Sequence, residues 1–176
     1  MWVVMGAAAM SLGALVFVLD PRTARESLSL RLRWLWIGGA VGALMTIATY
    51  GLYPLSLRVA PFVASNTVVL YSAFRAPSKT LATVLLIPII VGEELVWRGL
   101  VQTELVRRFG ALTGTIVAVG IYALAHAPIG SPVLVVVAFG CGAVWSTLRV
   151  TTGSLVPPLI AHAIWDSLVL LWIPIG

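Results

Sequence analysis

The chain has 176 residues, 60% of them hydrophobic and only 10% charged, with a mean hydropathy of +1.06. A water-soluble domain carries about 25% charged residues, so this composition excludes one and indicates an integral membrane protein, organised as a single membrane domain over 1–176. The net charge of +5 and pI near 10.2 do not describe a nucleic-acid binder, because the arginines stand singly or in pairs between apolar runs and form no basic face.

About 20 apolar residues cross a bilayer, which predicts spans near 2–19, 34–53, 80–106, 111–127, 131–149 and 154–174. Residues 2–19 lack a basic start, and Arg22 and Arg25 follow them. They read as a first span with an outside N-terminus rather than a cleaved signal. Segment 54–79 contains Arg58, Asn66, Arg75 and Lys79 around a short apolar stretch; it reads as an interfacial or partly embedded helix, with a seventh tilted span as the alternative. Six spans place Arg22, Arg25, Arg31, Arg33, Arg107, Arg108 and Arg149 inside and leave Arg58, Arg75 and Lys79 outside, as the positive-inside rule requires. The expected architecture is an all-α bundle of six or seven spans around a polar intramembrane cavity. A prokaryotic cytoplasmic membrane suits it.

Small residues mark helix contacts in lipid: Gly38 and Gly42 form a GxxxG pair, and Gly140 and Gly142 lie mid-span. Pro132, Pro157 and Pro158 suit first helical turns. Pro88 lies within the third predicted span, where it should kink the helix and open space beside the carboxylates that follow. Cys141 has no cysteine to pair with and reads as a small packing residue.

Those carboxylates, Glu93 and Glu94, precede Arg98 in PIIVGEELVWRG. Each ionisable group at the centre of a span costs about 2.5–3.5 kcal/mol, so such clusters mark functional sites. At 100° per residue, Glu94 and Arg98 share a face as an i, i+4 pair, whereas Glu93 shares its face with Trp97 and has no built-in partner. Glu104, Arg107 and Arg108 read as interfacial pairing at the helix end. The two histidines both fall in predicted spans. His126 follows Tyr122 by one turn, and Asp166 follows His162 by one turn. Glu93, Glu94, Arg98, His126, His162 and Asp166 are all expensive to expose to lipid and should converge on one interior cavity.

GluGluLeuValTrpArg matches an EExxxR motif, Tyr122–His126 an FxxxH motif with Tyr for Phe, and His162–Asp166 an HxxxN or HxxxD motif. In this order the motifs resemble the CAAX protease and bacteriocin-processing (CPBP, Abi) family of intramembrane glutamate endopeptidases, over a core of residues 80–174. The resemblance implies that Glu93 is the general base that activates water and that His126 helps hold that water. It implies that His162 and residue 166 form the oxyanion pocket, and that Glu94 and Arg98 are structural or substrate-orienting. It implies no metal or other cofactor. The implied partners are membrane lipid and a polypeptide substrate, lipid-modified or not, with no nucleic acid. Asp166 departs from the Asn of better-known members. An ionised carboxylate repels an oxyanion, so Asp166 is expected to orient His162 and favour its cationic form. Tyr122 in place of Phe adds a hydroxyl to the cavity.

A simple zigzag of spans puts His126 near the outer end of its helix and His162 in the cytoplasmic half of the last one. Convergence then requires tilt, a kink at Pro128 or a conical wet cavity. Three rival readings remain at this stage. A zinc protease could use the histidines and carboxylates, although no HExxH pattern occurs. A non-catalytic scaffold or immunity protein could keep the cluster for structure. A proton-coupled transporter could use buried carboxylates as relays, although no inverted repeats are visible.

Overall fold

The computed structural model of the chain describes residues 2–19, 21, 27–74 and 78–175. Arg22, Arg25 and Arg75, which entered the topology argument, lie outside the described residues. The described residues are helical throughout, with no strand among them. In chain order the helices are α1 (Trp2–Leu19), α2 (Leu32–Val59), α3 (Phe62–Ala73) and α4 (Lys79–Glu94). A π-helical stretch, Leu95–Val101, joins α4 to α5 (Gln102–Phe109). α6 (Ala111–Leu124), α7 (Pro132–Thr152) and α8 (Val156–Asp166) follow, and a second π stretch, Ser167–Trp172, prolongs α8.

Four helical stretches are long and apolar enough to cross a membrane: Leu32–Val59, Lys79–Phe109, Ala111–Ile129 and Pro132–Thr152. Gly6–Leu19, Phe62–Ala73 and Val156–Trp172 are shorter apolar helices. Outward residues of the long helices include Leu44, Ile47, Leu112, Ile116, Val136 and Phe139, all exposed. An apolar exterior over a polar interior is what a lipid solvent selects. The chain is an integral membrane protein built as a helical bundle.

Local chemistry sets the helix ends. Ser78 and Ser131 cap α4 and α7, accepting from the backbone N–H of Leu81 at 3.1 Å and of Leu134 at 3.3 Å. Pro132, Pro157 and Pro158 occupy first turns as expected. Gly153 ends α7 in the left-handed region at φ 67°. The second predicted span runs on to Val59, and segment 54–79 resolves into the end of α2 plus the separate 12-residue helix α3. α4 continues through Pro88 without ending. The irregularity instead follows the carboxylates, where the Gln102 N–H bonds the Trp97 carbonyl in an i to i−5 pattern.

Close backbone approaches position the charged helix. A Cβ on Gly38 would lie 2.7 Å from the Pro157 carbonyl oxygen, and one on Gly42 3.0 Å from Ala161 Cα. The GxxxG pair therefore seats α2 on α8. Gly92, immediately before the carboxylates, lies so close to α1 that its Cβ would fall 2.2 Å from the Ala9 carbonyl oxygen. Gly142 abuts the Tyr122 ring. Gly140 does not act as a contact site: nothing lies within 4 Å of its would-be Cβ, because it turns away from the neighbouring helices.

Candidate active site

α4, the π stretch and the start of α5 carry three polar residues spaced by four: Glu94, Arg98 and Gln102. Glu94 and Arg98 are 0% and 1% exposed and form an ion pair at 3.1 Å through Glu94 Oε1 and Arg98 Nη1. The same Glu94 oxygen lies 2.9 Å from His162 Nδ1 on α8. His162 Nε2 lies 3.3 Å from Asp166 Oδ2, one turn on. Both ring nitrogens thus face carboxylates. A neutral imidazole has one N–H, so only the imidazolium donates to both. Glu94⁻, Arg98⁺, His162⁺ and Asp166⁻ then sum to zero, which is how a low-dielectric interior tolerates four such groups.

Glu93 has no salt-bridge partner among the described residues. Its Oε2 lies 3.5 Å from the Tyr122 hydroxyl, a long contact. Glu93, Tyr122, His126, His162 and Asp166 all line one cavity of about 80 Å³, room enough for water. His126 sits in the turn just past α6, before the short 3₁₀ turn Ala127–Ile129. Its Nδ1 is 2.8 Å from the Tyr122 carbonyl oxygen. Donation to that carbonyl puts the proton on Nδ1 and leaves a lone pair on Nε2 in the neutral ring. The zigzag difficulty is resolved by this arrangement: His126 and His162 reach the same cavity from α6 and α8.

Trp145, Gln102, Thr103 and Arg149 support the site and were not read from the sequence as part of it. Trp145 of α7 stacks on His162, with ring centroids 3.7 Å apart and planes 19° from parallel. Arg98 sits over the Tyr122 ring at 4.2 Å from its centroid. Gln102, 1% exposed, donates to the Ser146 carbonyl oxygen at 2.9 Å and fixes the π stretch to α7. Arg149 Nε and the Thr103 hydroxyl both reach the Arg98 carbonyl, at 3.4 and 3.1 Å. The wide π turn thereby keeps its carbonyls satisfied. The recurrence of Glu94, Arg98 and Gln102 at every fourth residue was a signal for Gln102; a single tryptophan in an apolar helix gave none for Trp145. In α5, Arg107 pairs with Glu104 at 2.7 Å and Arg108 pairs with the same carboxylate; both arginines are exposed and Glu104 is half-buried. Among the described residues no three His, Cys, Asp or Glu side chains are grouped as a metal site.

The bundle and its buried carboxylate–histidine cluster define a polytopic membrane protein with a polar site inside an apolar shell. A family model, type II CAAX prenyl endopeptidase Rce1-like, matches residues 73–168. This is more than half of the chain, and the chain belongs to that family of membrane endopeptidases. The matched stretch includes Glu93, Glu94, Arg98, Tyr122, His126, His162 and Asp166. No curated protein and no solved structure matches the chain.

Proposed function

We propose that the protein is a metal-independent glutamate endopeptidase that hydrolyses a peptide bond near the membrane surface, with residues 80–174 as its catalytic core in a single membrane domain. The observation that carries this reading is the division of labour between adjacent carboxylates. Glu94 is locked between Arg98 and His162, while Glu93 lines the cavity with no salt bridge among the described residues.

In this mechanism Glu93 takes a proton from water as the water oxygen attacks the scissile carbonyl carbon. The Nε2 lone pair of His126 accepts the water's other hydrogen bond and orients it. The carbonyl π pair moves to oxygen. The long Nε2–H bond of His162 to Asp166 is shared with that oxyanion, and the imidazolium charge opposes the developing negative charge. On collapse the C–N bond breaks, and the leaving amine takes the proton from Glu93. Asp166 orients His162, and Glu94 with Arg98 anchors it from the other side.

An apolar cavity of about 550 Å³ adjoins the catalytic one and shares Leu70, Val137, Trp165 and Leu170 with it. Its size and apolar lining support a substrate whose peptide carries a lipid chain. The setting that fits best is a prokaryotic cytoplasmic membrane. The test uses detergent-purified protein and an internally quenched peptide, with and without a prenylated cysteine. Cleavage by wild type and none by Glu93→Gln supports the reading; equal cleavage by both overturns it.

A further inference from the structure

His162 has a carboxylate at each ring nitrogen, Glu94 at 2.9 Å and Asp166 at 3.3 Å, but these two contacts leave the ring free to tilt about the line joining the nitrogens. Trp145 closes that freedom. It is 2% exposed, lies nearly parallel to the imidazole at 3.7 Å, and is itself buttressed edge-on by Tyr122 and Trp165, each at 6.4 Å. There is a second reason for a π face at this position. Arg98 and His162 converge on one oxygen of Glu94, so two cations crowd one carboxylate oxygen. The Arg98 guanidinium carbon lies 5.3 Å from the Trp145 centroid and 4.2 Å from that of Tyr122. Aromatic faces attract cations, more strongly when water is excluded. The Trp145 indole N–H has no partner among the described residues, so the arrangement uses the ring face and not the N–H.

We propose that Trp145 is a positioning residue: its indole face fixes the plane of His162 between Glu94 and Asp166 and offsets the positive charge that His162 and Arg98 bring to Glu94. The charged and titratable groups around His162 are Glu93 and Glu94 from α4, Arg98 from the π stretch, Asp166 from α8, Cys141 from α7 and Tyr122 from α6. Among the aromatic rings, Trp145 is the one stacked on His162. The kinetic consequence rests on the proposed proteolytic function; the positioning itself does not.

The experiment compares wild type, Trp145→Phe and Trp145→Leu in detergent, with isotope-labelled histidine. Only two histidines are present, and His126→Gln assigns the signals. In wild type and Trp145→Phe, the ring current should shift the carbon-bound protons of His162 upfield, and both of its N–H protons should exchange slowly. In Trp145→Leu the shift and the protected N–H signals should disappear. With the quenched prenyl-cysteine peptide, Trp145→Leu should lower kcat by about tenfold or more with KM unchanged, since small misplacements of a catalytic group cost that much, and Trp145→Phe should restore it. If Trp145→Leu keeps the shifted and protected signals, or Trp145→Phe loses them, the proposal is overturned. Should the leucine variant fail to fold, the phenylalanine spectrum alone decides. Absence of cleavage by wild type would count against the proteolytic reading only, because the spectra test the positioning separately.

Discussion

Glu94 and His162, 68 residues apart in sequence, meet at 2.9 Å and join the two halves of the site. Through that contact the α4 carboxylate meets two basic side chains, Arg98 on the π stretch and His162 on α8, while Asp166 supplies the second carboxylate at His162. Removing one member of a buried pair leaves uncompensated charge and costs about 3–5 kcal/mol. Glu94→Ala and Arg98→Ala are therefore expected to unfold at clearly lower temperature in detergent and to accumulate poorly in membranes. Glu94→Gln should be milder, because the amide oxygen still accepts one hydrogen bond. Thermal unfolding followed by tryptophan fluorescence checks the ranking.

Glu93 should show the opposite pattern. It has no salt bridge to lose among the described residues, and the Tyr122 hydroxyl approaches it only to 3.5 Å. Glu93→Gln is expected to abolish peptide cleavage while leaving expression and unfolding temperature near wild type. Tyr122→Phe tests the contact itself, and its expected effect on the rate is small.

How much of this was legible depended on sequence distance. The Glu94–Arg98 and His162–Asp166 pairs follow from a 3.6-residue turn and appear as expected. The Gly38–Gly42 contact was readable for the same reason. The link from Glu94 to His162 was not, because periodicity along one helix carries no information about which helix faces it. Trp145 was invisible likewise: an apolar helix containing one tryptophan looks the same whether that ring meets lipid or a histidine. The π stretches have no local signature here. Pro88 lies inside α4, and the widened turn lies after Glu94, where it is held by Gln102, Thr103 and Arg149.

Gly92 offers a test of how α1 supports the site. A methyl group there would collide with the backbone of Ala9, and backbone cannot rotate aside as a side chain does. Overpacking of this kind costs about 1–3 kcal/mol. Gly92→Ala should lower the unfolding temperature and also reduce turnover, because the displaced segment carries Glu93. Gly140→Ala, with open space around its Cβ, is the control and should change neither.

Cleavage should survive exhaustive chelation. A metal-binding histidine must offer a lone pair, and both nitrogens of His162 are committed to carboxylates. His126 retains one nitrogen for this purpose, and no third ligand completes a set with it among the described residues. Elemental analysis and assay after chelator treatment make the comparison. Stoichiometric zinc, with activity lost on chelation and regained on adding zinc back, would establish a metalloprotease instead.

Asp166→Asn separates two roles for the carboxylate beside His162. If Asp166 merely occupies the place of an amide donor, the asparagine variant should match or exceed wild type, since an amide N–H can bond the oxyanion directly. The 3.3 Å contact to Nε2 argues for orientation and for support of the imidazolium. The variant should then turn over more slowly, by an estimated tenfold to hundredfold as for other groups acting through a catalytic histidine, and its pH–rate profile should change shape. KM should move little, because Asp166 acts on the ring rather than on the bound substrate. Asp166→Ala should lose activity under either role, so the asparagine variant is the informative one. A wild-type rate with an unchanged profile would remove the orienting role and leave Asp166 as a polar neighbour of the site.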